Sequence, residues 1–303
     1  MKVFLTGAPG FVGRNMLERL PAERREGTMK SVLRLMLLIV GGLIACSGHR
    51  IAKAQTLSIP HPDDPSKKVE YFLEKPKGSG PWPTIVLLHG HQEWPRAGGQ
   101  DFVKWGVLDE FAGRGYLAVS ISQPGYGGST GPADFCGPST QHAVAAVIAK
   151  LHADGYVKQN KVLLQGVSRG AMVAGLVAAQ DPSIRGVVLI SGLYDLPAYA
   201  VHAKSPMAVS IVDSMKMETG GTAEVLRERS LLYYAQDIKA ETLILNGARD
   251  DRTDPDQARR LAEIINAHGG HARTIVYPEY GHQIPVEARS KDVDPFIERV
   301  LGR

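Results

Sequence analysis

The chain has 303 residues, 44% of them hydrophobic and 22% charged, an ordinary globular composition that excludes a disordered or low-complexity protein. Its formal charge of +4 is concentrated at the front, where residues 1–54 hold nine Lys/Arg and three Asp/Glu, leaving 26 basic and 28 acidic residues beyond them. That near-neutral remainder has no basic excess from which to build a nucleic-acid face, so no nucleic-acid partner is expected.

The opening, Met1-Lys2-Val3-Phe4-Leu5-Thr6-Gly7-Ala8-Pro9-Gly10-Phe11-Val12-Gly13, reads as a short strand, a glycine turn and then a helix-like stretch over 14–20. It resembles the start of an extended short-chain dehydrogenase, whose turn offers backbone N–H groups to a dinucleotide pyrophosphate. No second strand with a ribose-reading side chain follows, and a lone strand cannot hold NAD. Residues 1–28 are therefore expected to be a vestigial or mis-called start, with Met29 the initiator and no cofactor.

Residues 29–54 carry the pattern of an export leader. Lys30 and Arg34 precede the apolar run Leu35-Met36-Leu37-Leu38-Ile39-Val40-Gly41-Gly42-Leu43-Ile44-Ala45, which is too short to span a bilayer. Two processing sites follow. Leu43-Ile44-Ala45-Cys46 resembles a bacterial lipobox, which would anchor the protein to lipid at Cys46, and Ala52-Lys53-Ala54 suits ordinary signal peptidase. An exported protein, periplasmic or secreted, is the expectation. With Cys46 in the leader, Cys136 has no disulfide partner in the mature chain.

From residue 55 to 303 strands alternate with helices. Strands are predicted over 69–73, 84–88, 116–121, 161–166, 186–190, 242–245 and 273–277, several of them continuous apolar runs such as Ile85-Val86-Leu87-Leu88. Helices are predicted over 103–114, 141–153, 169–179, 256–268 and 293–301. This alternation predicts one α/β domain with a mostly parallel central sheet flanked by helices, its chemistry gathered at the carboxyl ends of the strands. Residues 196–235 interrupt the pattern with polar, helix-prone sequence containing Pro197, Pro206 and Gly220-Gly221, and are expected to form a small lid insertion.

Gly166-Val167-Ser168-Arg169-Gly170 follows a strand and opens a helix, the context of a nucleophile elbow. Such a turn demands small residues two before and two after the serine, because neighbouring backbone crowds them. Ser168 is the expected nucleophile. A serine hydroxyl needs a base, and His282 in Pro278-Glu279-Tyr280-Gly281-His282 lies just after the last strand. The acid that orients it should follow the preceding strand, where Asp250 is the choice, Asp251 the alternative and Asp254 a distant third. Asp195 is read as structural. The backbone N–H of Arg169 is the first expected oxyanion donor. The second is expected from the loop opened by His89-Gly90-His91, at His91 or Gln92, with the His89 ring bracing the loop. Tyr126, in Pro124-Gly125-Tyr126-Gly127-Gly128-Ser129, is read as structural with substrate contact as its alternative. His49, His61 and His202 lack partners at metal spacing, so no metal site is predicted.

Gly166-Val167-Ser168-Arg169-Gly170, the run Tyr233-Tyr234-Ala235-Gln236-Asp237-Ile238-Lys239-Ala240, Gly247-Ala248-Arg249-Asp250-Asp251-Arg252 and Tyr277-Pro278-Glu279-Tyr280-Gly281-His282 together resemble the catalytic domain of the prolyl oligopeptidase family. Dienelactone-hydrolase-like enzymes and bacterial carboxylesterases share that core. The resemblance spans residues 69–301 and implies an α/β-hydrolase fold with serine, aspartate and histidine in that order. Two departures favour an ester over a peptide substrate. Ala171 stands where the family tends to have glycine, and residues 89–94 lack the tyrosine that supplies an oxyanion hydroxyl in the peptidases. The length is expected to leave no room for their propeller domain. A serine hydrolase acting on a small ester is thus the leading expectation. A small-peptide hydrolase and a non-catalytic binding protein that has kept the fold are the alternatives.

Overall fold

The computed structural model describes residues 54–302. The expectations placed on 1–28, on the leader and on Cys46 lie outside the described residues. The described residues build one eight-stranded sheet in the order β1-β2-β4-β3-β5-β6-β7-β8. Strands β1 (Gln55–Pro60) and β2 (Lys68–Glu74) pair antiparallel, and β2 joins β4 (Leu117–Ile121) antiparallel as well. All remaining pairs are parallel, linking β4, β3 (Trp82–Leu88), β5 (Val157–Val167), β6 (Ile184–Ile190), β7 (Glu241–Gly247) and β8 (His271–Tyr277). This is the α/β-hydrolase arrangement.

The parallel strands alternate their side chains between two cores. Val86 and Leu88 of β3, Val187 and Leu189 of β6, and Ile244 of β7 enter one of them. Ile85 and Leu87, Val188 and Ile190, and Leu243 and Leu245 enter the other. Since both faces are buried, the strands read as unbroken apolar runs rather than as alternating ones. The first core is closed by α3 (Pro138–Ala153), α4 (Arg169–Gln180) and α8 (Pro255–Ala267), the second by α1 (Gln100–Lys104), α2 (Val107–Gly113) and α9 (Val286–Leu301). A fully buried leucine on such a strand is worth roughly 1.5–3 kcal/mol over its exposed state.

The lid consists of α5 (Leu196–His202), α6 (Pro206–Thr219), α7 (Ala223–Arg227) and a 3₁₀ turn, Leu231–Asp237. Each helix start follows capping chemistry. The Asp195, Ser205 and Thr222 side chains accept backbone N–H groups from Ala198, Ala208 and Val225, and proline opens α5 and α6. Val212, Met215 and Leu226 join the first core, so the lid is packed onto the domain.

Several element boundaries differ from the sequence expectation, among them the starts of β5 at Val157 rather than 161 and of α3 at Pro138 rather than 141. The helix expected over 103–114 is two, because Gly106 takes a left-handed φ of 73° between them. Helix α9 starts at Val286, seven residues before the predicted 293, and carries Pro295 inside it. Strand β1 was not anticipated; it lies at the sheet edge, largely exposed, and lacks the apolar run of the central strands.

Candidate active site

The turn after β5 is shaped by crowding. Ser168 sits at φ 54°, ψ −118°, a region that costs a non-glycine residue about 1–3 kcal/mol. Its N–H bonds the Ile190 carbonyl of β6 at 2.7 Å, and its own carbonyl accepts the Ala171 N–H at 2.9 Å. A Cβ on Gly166 would lie 2.1 Å from the Gly170 oxygen, and one on Gly170 would lie 2.1 Å from the Leu88 oxygen. Both glycines are therefore required by contact. Ala171 and Ala174 are fully buried and let α4 run close to the sheet.

Strands β7 and β8 bring Asp250 and His282 together. Gly247 ends β7 so close to the His282 loop that a Cβ there would lie 2.2 Å from the Gly281 oxygen. The Ala248 and Arg249 N–H groups bond the Tyr277 and Tyr280 carbonyls at 2.9 and 3.0 Å, locking the two loops to each other. His282 Nδ1 then lies 3.0 Å from Asp250 Oδ2 and 3.2 Å from Oδ1. The Asp250 side chain is fully buried and that of His282 is 11% exposed. Burial alone would raise the Asp250 pKa, but hydrogen bonds from His282 and Thr253, the imidazole charge and the Arg252 N–H outweigh it and hold the carboxyl below its ordinary range. With Nδ1–H donated to this carboxylate, Nε2 carries the basic lone pair.

The competing carboxylates have other work. Asp251 is 62% exposed beside Arg252. Asp254 caps α8 by accepting the Asp256 N–H, and Asp195 caps α5. Ser168 is placed at the end of β5, two strands from β7 and three from β8, on the same carboxyl rim of the sheet. Among the described residues no hydrogen bond joins its Oγ to His282; in substrate-free hydrolases that contact is often long and tightens on binding.

The loop after β3 borders the elbow, since a Cβ on Gly90 would lie 3.3 Å from Ser168 Cβ. His89 is buried and braces this loop. Its Nδ1–H donates to the Gly90 carbonyl at 2.8 Å, its Nε2 accepts the Gln123 N–H at 3.1 Å, and its carbonyl accepts Gln123 Nε2 at 2.7 Å. Burial drives its pKa down to about 4, so the ring is neutral. Among the described residues the backbone N–H groups of Arg169, His91 and Gln92 have no partner, and the Gln92 side chain is engaged with Gly98 and Asp101.

Three features were not anticipated from the sequence. Thr253 holds Asp250 through its hydroxyl and its N–H. Tyr199 and Ser205 of the lid donate to the carbonyls of Arg252 and Asp251 at 2.6 and 2.5 Å. Glu218 of the lid pairs with the Arg169 guanidinium. Only the first was open to detection, as an aspartate followed three residues later by threonine.

Comparison with known proteins gives the family and the fold. The model of the prolyl oligopeptidase family matches residues 137–302, more than half of the chain. Dipeptidyl aminopeptidase BIII of Pseudoxanthomonas mexicana is 26% identical over 247 residues, 75% of this chain and 34% of that protein. A puromycin-hydrolyzing peptidase of Mycobacterium tuberculosis superposes with a TM-score of 0.71 at 17% identity, covering 85% of this chain and 41% of that one. The Pyrococcus furiosus esterase Pf2001 superposes with a TM-score of 0.64 at 18% identity, covering 82% of this chain and 93% of the esterase. The chain spans about a third of the length of the curated relatives it matches, 37% and 34%.

Proposed function

The chain belongs to the prolyl oligopeptidase family, and on that premise we propose that it is a serine hydrolase cleaving a small carboxylic ester through an acyl-enzyme on Ser168. The observation that carries the reading is a strained serine at the end of β5 on the same carboxyl rim of the sheet as a buried Asp250–His282 couple, two and three strands away. Ser168 Oγ attacks the ester carbonyl while His282 Nε2 takes its proton. Asp250 holds the imidazole in the required tautomer and stabilises the imidazolium. The oxyanion is received by the free N–H groups of Arg169 and His91. His282 returns its proton to the departing alcohol. Water, deprotonated by the same imidazole, then attacks the acyl group and releases the acid and Ser168.

An ester is supported by the likeness to the Pyrococcus furiosus esterase and by residues 89–94, which hold no tyrosine to supply an oxyanion hydroxyl. The second reading, hydrolysis of a small peptide or aminoacyl amide, is supported by the likeness to dipeptidyl aminopeptidase BIII. Parallel assays on p-nitrophenyl acetate and on aminoacyl p-nitroanilides separate the two. Turnover confined to the anilides would overturn the ester reading, and no turnover of either would favour a binding protein on this fold. We also propose export, supported by the apolar run 35–45 between basic residues and two processing motifs. Lipid attachment at Cys46 would be seen as a mass increase on the peptide that begins there.

A further inference from the structure

Arg169 carries a guanidinium into the protein interior. Its side chain is 5% exposed, and withdrawing such a cation from water is strongly unfavourable unless its donors are met. Nη1 donates to the Tyr126 hydroxyl at 2.6 Å, and Nη2 pairs with the Glu218 carboxylate. The guanidinium carbon also lies 4.4 Å from the centre of the Phe135 ring. Glu218 is fixed in turn, because its Oε2 accepts the Phe135 N–H at 2.8 Å.

Tyr126 carries the connection further. Its oxygen accepts from Arg169, which leaves its O–H to donate to His91 Nδ1, 3.1 Å away. Burial and the Arg169 charge hold the His91 pKa down, so that ring is neutral and its Nδ1 can accept. Glu218, Arg169, Tyr126 and His91 thus form one connected chain. It starts on helix α6 of the lid and runs through Arg169 to His91, the two residues whose backbone N–H groups receive the oxyanion in the mechanism above.

We propose that Glu218 is a positioning residue for the oxyanion hole: by clamping the Arg169 guanidinium it fixes the first turn of α4 and, through Tyr126, the His91 loop, so that the hole is complete only while α6 is seated. The inference builds on the hydrolase reading and on its choice of donors. It makes the lid part of the reaction rather than a cover. Withdrawing α6 would leave a buried cation unpaired and relax both donors at once.

The test compares the full chain with Glu218→Gln, which keeps shape and removes charge, and with Glu218→Asp, which keeps charge on a shorter arm. Active sites are titrated to completion with a fluorophosphonate. Turnover of p-nitrophenyl acetate is expressed per titrated site, beside the inhibition constant of an alkyl boronic acid that mimics the tetrahedral oxyanion. Glu218→Gln is expected to lower kcat per site about 10- to 100-fold, to change KM by less than about threefold and to weaken the boronic acid in parallel. Glu218→Asp should recover part of the loss. A merely structural residue would reduce the fraction of titratable sites and leave the turnover of each remaining site intact, and that result overturns the proposal. Should Glu218→Gln fail to fold, Tyr126→Phe severs the chain between Arg169 and His91 without unpairing a charge. Its turnover per site should fall about tenfold, and a value within about twofold of the parent overturns the proposal. A parent protein that the fluorophosphonate does not label at Ser168 would bring down the hydrolase reading, and this inference with it.

Discussion

Thr253 grips Asp250 twice: its hydroxyl donates to Oδ2 at 2.5 Å and its backbone N–H donates to Oδ1 at 3.0 Å. These bonds stand beside those from the Arg252 N–H and from His282, so the buried carboxylate is saturated with donors. Together they keep its pKa low against the pull of burial. A depressed carboxylate contributes stability that is fully present above its unfolded value of 3.8 and is lost as pH falls through the lower folded value. Thr253→Val should raise the folded pKa and remove part of that contribution. Urea unfolding between about pH 7 and 2 should show a variant less stable than the parent at neutral pH, with the difference narrowing in acid. Its kcat should fall several-fold, because a carboxylate with fewer anchors orients the imidazole less well. Asp250→Asn should cost far more, about 10⁴-fold in kcat, since the amide favours the wrong tautomer.

His89 supplies a second dependence on pH, of opposite origin. Burial lowers its folded pKa from 6.5 to about 4. The unfolded chain takes up a proton on this ring below 6.5 while the folded chain does not until near 4, so stability is full above 6.5 and declines between those values. The loss amounts to roughly 3 kcal/mol at order of magnitude. His89→Gln should be less stable at neutral pH, because the ring's bonds to Gly90 and Gln123 are disturbed. It should also lack this portion of the acid slope. Equal slopes in parent and variant between pH 6.5 and 4 would show that His89 is not the group responsible.

Gly170 lies where α4 passes the end of β3. A Cβ would sit 2.1 Å from the Leu88 oxygen and 2.7 Å from the His89 oxygen, both backbone atoms that cannot yield cheaply. Gly170→Ala should therefore cost more than about 3 kcal/mol or yield no soluble protein. A thermal midpoint within a few degrees of the parent would show that the elbow is looser than this packing implies.

The lid also steadies the loop that carries Asp250. Tyr199 and Ser205 each donate a side-chain hydroxyl to a carbonyl of the loop just after Asp250. Tyr199→Phe combined with Ser205→Ala should lower stability by about 1–3 kcal/mol and speed hydrogen exchange at residues 250–253, with kcat falling several-fold. Unchanged exchange in that loop would show that other contacts already hold it.

These relationships show where sequence reasoning reaches and where it stops. The central strands were legible because burial on both faces leaves an apolar run that any window detects. The elbow was legible because its steric demand is local and leaves glycines at fixed spacing around Ser168. The meeting of His282 with Asp250 was legible through their places after β8 and β7. The pairing of Glu218 with Arg169 was not, because the partners lie on different elements and nothing at either position marks the other. Strand β1 was missed because the apolar face of the edge strand Gln55–Pro60 is only Leu57 and Ile59, both partly buried, which is too short an alternation to mark a strand. The start of α9 was missed because Arg289, Lys291 and Asp292 dilute its first turns and Pro295 reads as a breaker, although the chain accommodates it inside the helix.

The most direct test of the central claim is mass-spectrometric mapping of a fluorophosphonate adduct, alongside p-nitrophenyl acetate turnover, in the parent, Ser168→Ala and His282→Ala proteins. The account predicts an adduct on Ser168 in the parent, none in Ser168→Ala, much slower labelling in His282→Ala, and turnover reduced at least about 10³-fold in both variants. An adduct on another residue, or a Ser168→Ala protein that hydrolyses the ester at the parent's rate, would contradict it.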